Sequence, residues 1–528
     1  MTPFLVLELD LIPGQNDERL GVIASKKFHA DLRLHRILKK SIDARKKDRI
    51  VVKYRAVFDA SSADQARLIR QGATLWEPEV AEKPASAEKK PRIVVVGTGP
   101  AGLFCALRLL SRGVSCTVLE QGKPVGERHR DIERLRSQGI LDPDSNVVFG
   151  EGGAGTYSDG KLTTRIHKPG ISWVFDRLVD HGAPPPILYD AKPHIGTDVL
   201  QVVVASMRRS LEAGGTKVLF GQKVVELIAH EGRVAGVRTA SGHEFSADAV
   251  VLACGHSARG LYETLAAAGI VLERKGFAVG VRIEHPAPFI NRAQYGLWAD
   301  RLPAADYRLA WTNPATGRGT YSFCMCPGGE VVNSSSEPGR LCVNGMSYSR
   351  RDLPGSNAAL VTTVGPEDVP AGILGGMEFQ RELERRAFAA GGGDQRSPTT
   401  GARAFLDRRP ASSLPQISYQ PGVIAADFDS ILPPFLAAEL RLALADFDRK
   451  VPGFVDQGTL IGVETRTSSP VRITRGEDFQ SAGMAGLFPA GEGAGYAGGI
   501  VSSAVDGVRI ADFLCEADFV GKTVKKPS

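Results

Sequence analysis

Alternating apolar and polar positions mark the start of the chain. FLVLELDLI (residues 4–12) and RIVVKYRAVFDA (49–60) mix apolar and β-branched residues with polar ones, which predicts two strands. Between them, HADLRLHRILKKSIDARKK (29–47) has apolar residues at positions 32, 34, 37, 38 and 42, a spacing that favours a helix face. We therefore expect a small α/β domain over residues 1–76, in the order strand, helix, strand.

A charged segment separates this unit from the rest of the chain. EPEVAEKPASAEKKP (77–91) is rich in alanine and proline and has little to bury, which is typical of a linker. After it, RIVVVGTGPAGLFCALRLLSRGVSCTVLEQG (92–122) predicts a buried strand, a glycine turn, a helix and a second strand. Paired strand patterns return at 217–256, and residues 275–480 hold many short strand-like runs between proline and glycine turns. This order indicates a dinucleotide-binding domain interrupted by an insertion.

The glycine turn has the spacing of a dinucleotide-binding motif. Gly97 permits a tight turn, Gly99 lets the backbone approach a pyrophosphate, and Gly102 allows the helix to pack closely on the strand. The following helix directs unpaired N–H groups at the phosphates. Glu120 ends the next strand, where a carboxylate accepts hydrogen bonds from the adenosine ribose and disfavours a 2′-phosphate. The motif therefore favours FAD or NAD over NADP and does not decide between the first two.

Composition and charge narrow the class of protein. The 528 residues are 43% hydrophobic, which predicts two or three soluble domains. Seven cysteines without paired spacing indicate a reducing cytoplasm, and no apolar run is long enough to span a bilayer. The net charge of +6 is concentrated in residues 1–55. Because that stretch has few interleaved aromatic residues, we expect a solvated surface there and no nucleic-acid site.

Longer motifs carry a resemblance to a known family. Besides GTGPAGLFCALRL and LEQG, the chain contains FGEGGAGTYSDGKLTTR (149–165), ADAVVLACG, YSFCMCPGGEVV (321–332), VNGMSYSRRD (343–352), VETRTSSPVRITR and FPAGEGAGYAGG. With these motifs in this order, the chain resembles FAD-dependent oxidoreductases of the glutathione-reductase-like superfamily. More narrowly, it is similar to a bacterial family described as uncharacterised FAD-dependent dehydrogenases. The likeness covers most of the chain from residue 92 onward, and the family supplies no substrate.

The resemblance implies an α/β fold. It consists of a small basic N-terminal domain (1–76), a linker (77–91), a Rossmann-like FAD-binding domain of the second glutathione-reductase type (GR2-type), and an inserted mixed α+β substrate or cap domain. The FAD-binding domain covers residues 92–274 and 481–528, and the insertion covers 275–480. The cofactor would then be FAD.

The resemblance also implies which residues hold that cofactor. The pyrophosphate would lie on Gly97, Gly99, Pro100, Ala101 and Gly102, with the ribose on Glu120 and Gln121 and with Arg128 near the phosphates or flavin. The adenine would meet the backbone of Val224, and the chain would cross the cofactor again at Ala253, Cys254 and Gly255. Gly153, Gly155 and Thr156 would pass along the flavin, and Lys161 would reach its N5 edge or a substrate anion.

A second glycine run, LFPAGEGAGYAGGIVSSAVDGVRIA (487–511), leads into the last predicted helix. Since the first turn serves the pyrophosphate, this run is expected at the other half of the cofactor. Gly491 and Glu492 would meet pyrophosphate and ribitol, while Gly498, Gly499 and Ile500 would aim N–H groups at flavin N1 and O2. Many relatives have aspartate where this chain has Glu492. The run is the main reason to expect FAD instead of NAD.

Three basic residues are candidates for catalysis: Lys161, Arg466 and Arg472. The two arginines belong to ETRTSSPVRITR, and arginine is suited to bidentate carboxylate recognition. The alternative for this motif is a structural ion pair between Glu464 and an arginine at a domain junction. For CMC (324–326) we expect buried thiols and no redox pair, because the ring is small and the sequence shows no basic neighbour. No spacing predicts a metal site.

These observations predict a cytoplasmic FAD-dependent oxidoreductase. It would move hydride through flavin N5 on a small or hydrophobic organic substrate, bound between the flavin domain and the insertion. No second GxGxxG follows residue 200, so a soluble NAD(P)H or another donor would supply electrons without a domain of its own. Two alternatives remain: an FAD-dependent RNA-modifying enzyme that uses the basic N-terminal domain, and a flavin-binding sensor or scaffold without turnover.

Overall fold

The computed structural model describes residues 4–77, 90–164, 169–410, 414 and 416–516. Residues 78–89 of the predicted linker and 517–528 of the predicted last segment lie outside them. No helix of the described part is long and apolar enough to cross a membrane.

The N-terminal unit is an open four-stranded sheet covered by two helices. Its elements are β1 (Phe4–Leu11), α1 (Leu20–Phe28), β2 (Leu32–Asp43), β3 (Val51–Ala60), α2 (Ser62–Arg70) and β4 (Thr74–Trp76). The strands lie in the order β2-β3-β1-β4, and all three pairs are antiparallel. One face of the sheet buries leucines of β1 against Leu20, Ala24 and Leu68 of the helices, so this unit has a core of its own.

The prediction of a helix within residues 29–47 is wrong, because Leu32–Asp43 of this segment forms strand β2, which pairs with β3. Two bulges shift the pairing, one between Leu34 and Arg36 and one between Ile37 and Lys39. Each bulge adds a residue and so moves the inward position along the strand. Leu32, Leu34, Ile37 and Ile42 therefore share the core face, and their irregular spacing imitates a helix.

The central unit is built on a parallel sheet with packed residues on both faces. Its first part contains β5 (Ile93–Val96), α3 (Pro100–Ser111), β6 (Thr117–Leu119), α4 (Val125–Gln138), α5 (Ile171–Asp180), α6 (Thr197–Ala213), β7 (Lys217–Leu219), β8 (Val224–His230), β9 (Arg233–Thr239), β10 (Glu244–Ser246), β11 (Ala249–Leu252) and α7 (Arg259–Ala267). The sheet order is β23-β11-β5-β6-β7, where β23 is Leu487–Pro489 from the far end of the chain. The last helix, α12 (Ile500–Glu516), packs against α3, and β8–β10 form a separate antiparallel sheet.

The intervening chain builds a larger sheet. Its elements are β12 (Leu272–Arg274), β13 (Phe277–Pro286), α8 (Ala287–Tyr295), β14 (Ala310–Thr312), β15 (Gly319–Cys326), β16 (Glu330–Asn333), β17 (Val343–Met346), β18 (Gly355–Val364), α9 (Gly375–Ala390), β19 (Ser397–Gly401), α10 (Ala402–Leu406), β20 (Val423–Ala425), α11 (Pro434–Lys450), β21 (Thr459–Glu464) and β22 (Val471–Ile473). Seven of these strands lie in the order β14-β15-β18-β13-β21-β19-β20, and all neighbours but β19 and β20 are antiparallel. The carboxyl ends of the parallel strands and this sheet border one large cavity.

Candidate flavin and substrate site

The first glycine turn is packed so tightly that two of its three glycines, Gly97 and Gly102, admit no side chain. A Cβ on Gly97, whose φ is +103°, would lie 2.4 Å from the carbonyl oxygen of Ala253. A Cβ on Gly102 would lie 2.0 Å from the carbonyl oxygen of Gly97. The turn between β5 and α3 is therefore held against the end of β11, and the first turn of α3 faces the open space beyond it.

The open space is a cavity of about 1910 Å³. Most of the predicted site residues lie on its wall: Gly97, Gly99, Pro100, Ala101, Glu120, Gln121, Gly153, Gly155, Lys161, Val224, Ala253, Cys254, Gly255, Arg466, Glu492, Gly498, Gly499 and Ile500. Its far side is formed by the inserted unit, through Tyr307 and Leu309, which precede β14, and through Tyr321 and Phe323 of β15. The cavity is roughly twice the upper end of the ~300–1,000 Å³ common for small-ligand sites. It has room for a dinucleotide and a second molecule.

Five predicted residues do not line this wall; Arg128 is one, and the other four are Gly102, Thr156, Arg472 and Gly491. Gly102 contacts Gly97, and Gly491 donates its N–H to Asp506 at 2.8 Å. Thr156 is buried and donates its hydroxyl to the Glu151 carbonyl at 3.1 Å. Arg472 lies beside Glu273 at 3.5 Å, and its guanidinium lies 5.4 Å from the ring centroid of Tyr496 on the wall. Gly491 and Thr156 therefore shape the site from behind, and Arg472 contacts the wall residue Tyr496 without lining the cavity itself.

Arg128 was expected near the phosphates or the flavin, and the structure corrects this. The side chain is fully buried, and its guanidinium donates to four backbone carbonyls, those of Asn146, Val147, Glu151 and Gly153, at 2.6–2.9 Å. Burial lowers the pKa of Arg128 to about 10. The arginine thus fixes the loop that ends in the 3₁₀ turn Gly153–Tyr157, and only the loop reaches the cavity.

Glu120 lies on the wall at the end of β6, as its position in the motif predicts. One carboxylate oxygen accepts from the N–H and the hydroxyl of Thr98, at 2.9 and 2.6 Å. The other accepts from the N–H groups of Gly122 and Gly150, at 2.9 and 3.0 Å. A carboxylate has about four acceptor sites. A ribose hydroxyl would share an oxygen with one of these donors, and Glu120 also ties three turns together.

Lys161 faces the cavity as part of a charged triad. Its Nζ lies 3.1 Å from a carboxylate oxygen of Asp159, and it also donates to the Met325 carbonyl. Arg351 holds the same carboxylate with two hydrogen bonds, at 2.9 and 2.5 Å. Burial opposes these charges, but Lys161 and Arg351 hold the pKa of Asp159 well below its usual range. Burial also works against the charge of Lys161, yet Asp159 raises the lysine pKa, so a cation is kept at the wall.

The two motif residues Glu464 and Arg466 each form a buried ion pair, with different partners. Arg466 donates to both carboxylate oxygens of Glu384, at 3.0 and 2.9 Å, and Glu384 also binds Arg259. Glu464 pairs instead with Arg282 of β13, at 2.5 Å. A structural ion pair of Glu464 with an arginine was the alternative to a catalytic motif, and the Glu464–Arg282 contact is such a pair. Arg466 nevertheless reaches the cavity wall. The motif itself does not reveal Glu384, because this residue lies on α9, 82 residues before Arg466.

Glu492 is the titratable group of the second glycine run. Its carboxylate is partly exposed on the wall, 3.9 Å from Nε2 of His256. Burial raises the pKa of Glu492 to about 7, against the opposing effect of Lys275. Burial and the nearby arginines 466 and 259 lower the pKa of His256 to about 3, so this imidazole is neutral. Helix α12 begins just beyond, at Ile500, and presents its first turn to the same space.

The expectation that CMC has no basic neighbour is wrong. Cys324 lies on the cavity wall, and the charges of Lys161 and Arg282 act on its thiol. Arg282 donates to the Cys324 carbonyl at 2.6 Å and lies 3.6 Å from Sγ of Cys326. By contrast, His285 is a core residue, since it is buried and bonds the Phe454 carbonyl at 2.8 Å. The bases around CMC come from other strands and loops and cannot be seen in the local sequence.

Three segments of the chain match known protein families. Residues 92–139 match an FAD binding domain, 276–467 match the family "FAD-dependent protein, C-terminal domain-like", and 5–59 match a domain of unknown function. An uncharacterized protein of Clostridium beijerinckii is 43% identical over 491 residues, covering 91% of this chain and 92% of the relative. The chain belongs to a family of FAD-dependent proteins. Its cofactor is FAD.

The flavoprotein also has distant likenesses among solved structures. The flavin-dependent brominase Bmp2 is 11% identical with a TM-score of 0.37, covering 82% of this chain and 81% of that one. Tetracycline destructase Tet(51) is 11% identical with a TM-score of 0.33, covering 82% and 84%. CtdE in complex with FAD is 11% identical with a TM-score of 0.31, covering 81% and 84%. At these values the reactions of those proteins say nothing about the flavoprotein.

The residues of the cavity fit FAD. The turn after β5 leaves no room for side chains at Gly97 and Gly102, and no atom lies within 4 Å of a Cβ placed on Gly99, so the backbone there is open to a pyrophosphate. Two helices, α3 and α12, begin on the wall, so their positive ends face the sites expected for phosphates and flavin. Glycine loops from both halves of the chain border the space between them. These residues would hold one extended cofactor, which would leave the side of the inserted sheet for a second molecule.

Proposed function

We propose that this flavoprotein is an oxidoreductase of the glutathione-reductase-like superfamily, acting on a hydrophobic organic substrate between the flavin-binding unit and the inserted sheet. The observation that carries the proposal is the continuity of the 1910 Å³ cavity, which runs from the Gly97 turn to β15. FAD, when bound, supplies hydride transfer at N5. Space beyond the glycine loops is what a second, reacting molecule requires.

The wall of the inserted sheet supports a substrate with an apolar body. Tyr307, Leu309, Tyr321 and Phe323 line it, and 41% of Phe323 is exposed although its ring is apolar. Removal of such a surface from water favours the binding of an apolar ligand. Lys161 lies at the same end and keeps its positive charge, so it would bind an anionic group or stabilise negative charge near the reacting atoms.

Electrons would come from a soluble NAD(P)H that enters the same cavity. Within the described ranges the chain has one parallel sheet of the dinucleotide-binding type, and the 92–139 match falls on it. The other sheets are antiparallel apart from the pair β19–β20. A nicotinamide without its own domain would bind transiently over the flavin, leave as NAD(P)⁺, and give way to the organic substrate. The proposed partner set is therefore small molecules only.

Rapid-reaction spectroscopy tests this proposal. The purified holoprotein is mixed without oxygen with NADH or NADPH, and the visible absorbance of flavin is followed. We expect bleaching, then repeated reoxidation when hydrophobic quinone or enone acceptors are added. A protein whose flavin is reduced by neither nucleotide, and which turns over with no acceptor, is a sensor or scaffold. Salt-sensitive RNA binding by the intact protein would instead favour the RNA-modifying alternative.

A further inference from the structure

Two cysteines meet at an irregular point of β15. Phe323 pairs with Ala359 and Cys326 pairs with Asn357, so β15 carries one extra residue there. The bulge contains Cys324 with φ at +42°, a left-handed conformation that side-chain-bearing residues rarely adopt. Such strain concentrates at functional sites, because the surrounding structure must maintain it. Here the Cys326 thiol folds back on residue 324 and donates to the Cys324 carbonyl oxygen at 3.4 Å.

The two thiols have unequal surroundings. Cys324 is partly exposed on the cavity wall, and Cys326 is fully buried behind it. The hydrogen bond from Cys326 and the charges of Lys161 and Arg282 lower the pKa of Cys324. The same hydrogen bond and burial raise the pKa of Cys326. The lowered pKa favours the thiolate of Cys324, on the cavity side, and the raised pKa favours the thiol of Cys326.

The wall around Cys324 is the flavin end of the cavity. Lys161 follows the turn Gly153–Tyr157, and its ammonium reaches the carbonyl of Met325, between the two cysteines. Cys324 is also close enough to Glu492 of the second glycine run to raise the pKa of that carboxyl group. Both loops expected to border the isoalloxazine ring therefore approach Cys324.

We propose that Cys324 and Cys326 form a dithiol–disulfide couple that exchanges two electrons with FAD. In the oxidative direction, an S–S bond forms between Cys324 and Cys326 and the S–H bond of Cys326 breaks. Its proton and two electrons pass to FAD, giving FADH⁻, so the single negative charge of the thiolate is conserved. The reverse step reduces the disulfide.

This activity rests on the proposed flavin site, but it needs no organic substrate. A disulfide across one intervening residue is strained and therefore readily reduced. The couple would accept electrons from reduced flavin and pass them to a disulfide-containing molecule in the cavity. Cys324 would attack that molecule and Cys326 would resolve the mixed disulfide. The ligand class of this end of the cavity is then a disulfide.

Anaerobic electron counting tests the couple. Oxidised holoprotein is titrated with dithionite while flavin absorbance is followed, and FAD content is measured in the same sample. We expect uptake of four electrons per FAD in the natural protein and in the control Cys342→Ser, whose buried cysteine lies off the cavity wall. Cys324→Ser and Cys326→Ser should each take up two. Two electrons in the natural protein would overturn the proposal.

Peptide mapping supplies a readout without flavin spectroscopy. Free thiols are alkylated under denaturing conditions before and after reduction, and the mass of the peptide with residues 324–326 is measured by mass spectrometry. The proposal requires an internal disulfide in the oxidised holoprotein and two alkylated thiols after reduction. If either serine variant fails to fold, the other still decides the electron count. If NAD(P)H does not reduce the flavin, or if no substrate turns over, the proposed function is contradicted. The electron count and the peptide map do not depend on either outcome.

Discussion

Arg282 donates to Glu464 at 2.5 Å in the interior of the inserted sheet, where 0% and 4% of the two side chains are exposed. The same guanidinium binds Asn344, Asn357 and the Cys324 carbonyl. It therefore connects strands β13, β15, β17, β18 and β21 directly beneath the cavity wall. One cation organises both the sheet and the cysteine bulge.

Removing this cation should destabilise the protein strongly. Arg282→Met leaves the Glu464 carboxylate buried without its partner, and we expect a loss of about 3–5 kcal/mol in the free energy of unfolding. Urea denaturation of the holoprotein measures it. The double variant Arg282→Met/Glu464→Gln, which lacks the buried charge, should recover part of the loss. Equal stability of the single and double variants would contradict a charge-pair explanation.

FAD affinity should fall as pH rises through about 7, because of Glu492. Burial raises the pKa of Glu492 to about 7, so the carboxyl group is neutral below that pH and repels the pyrophosphate above it. The bound anion favours the protonated group, and by linkage the Kd rises by up to about tenfold per pH unit above the pKa. Reconstitution of the FAD-free protein at pH 6 to 8.5 measures this.

Glu492→Gln is the matched variant for that pH dependence. It keeps the shape of the side chain and a hydrogen-bonding end but does not titrate, so its FAD affinity should be flat over the same pH range. Lys275, His256 and Cys324 remain around position 492 in both proteins. A pH dependence that persists in Glu492→Gln would assign the effect to one of these neighbours.

Glu120→Gln should weaken FAD binding, although the substituted side chain has nearly the same size and shape. The amide loses one acceptor oxygen and gains a donor that faces the N–H groups of Gly122 and Gly150 or the Thr98 group. Leaving buried donors unpaired costs about 1–3 kcal/mol. FAD retained after gel filtration, measured by absorbance, reports the loss. Glu226→Gln, a half-exposed residue paired with Arg238, is the control and should retain FAD normally.

Lys161→Met should raise the pH at which Cys324 reacts with alkylating agents. The groups that act on this thiol are Lys161 and Arg282, which favour the thiolate, and Asp159, which opposes it, together with Cys326. Glu464 and Glu492 also face it. Loss of the lysine should shift half-maximal alkylation upward by about one pH unit or more. Mass spectrometry of the Cys324 peptide measures this, and an unchanged profile would remove Lys161 from the cysteine site.

The sequence predicts best the parts of the site that are local. The strand, turn and helix around Gly97 lie within one short segment, and Glu120 follows from counting along it. The role of Arg128 cannot be predicted in this way, because its partners are carbonyls of a loop, which no side-chain pattern reveals. Strand β2 has the apolar spacing of a helix because bulges change its period.

Contacts between distant segments explain the remaining differences. The cations at Cys324 come from Lys161, on a loop of the flavin-binding unit, and from Arg282 on β13. The partner of Arg466, Glu384, comes from α9. Charged residues of this kind have no periodicity that assigns them to one another, so only the folded chain shows which pairs form.

The order of segments along the chain also governs when the molecule can acquire its cofactor. Strand β11 pairs with β23, Val250 beside Leu487, and α12 covers α3 only after the whole seven-stranded sheet has been synthesised. The two halves of the FAD site are translated at different times. A nascent chain therefore contains the pyrophosphate turn after β5 long before the glycine run after β23. Cofactor capture is thereby reserved for polypeptides translated nearly to completion, and premature termination products would be left colourless and exposed to proteolysis.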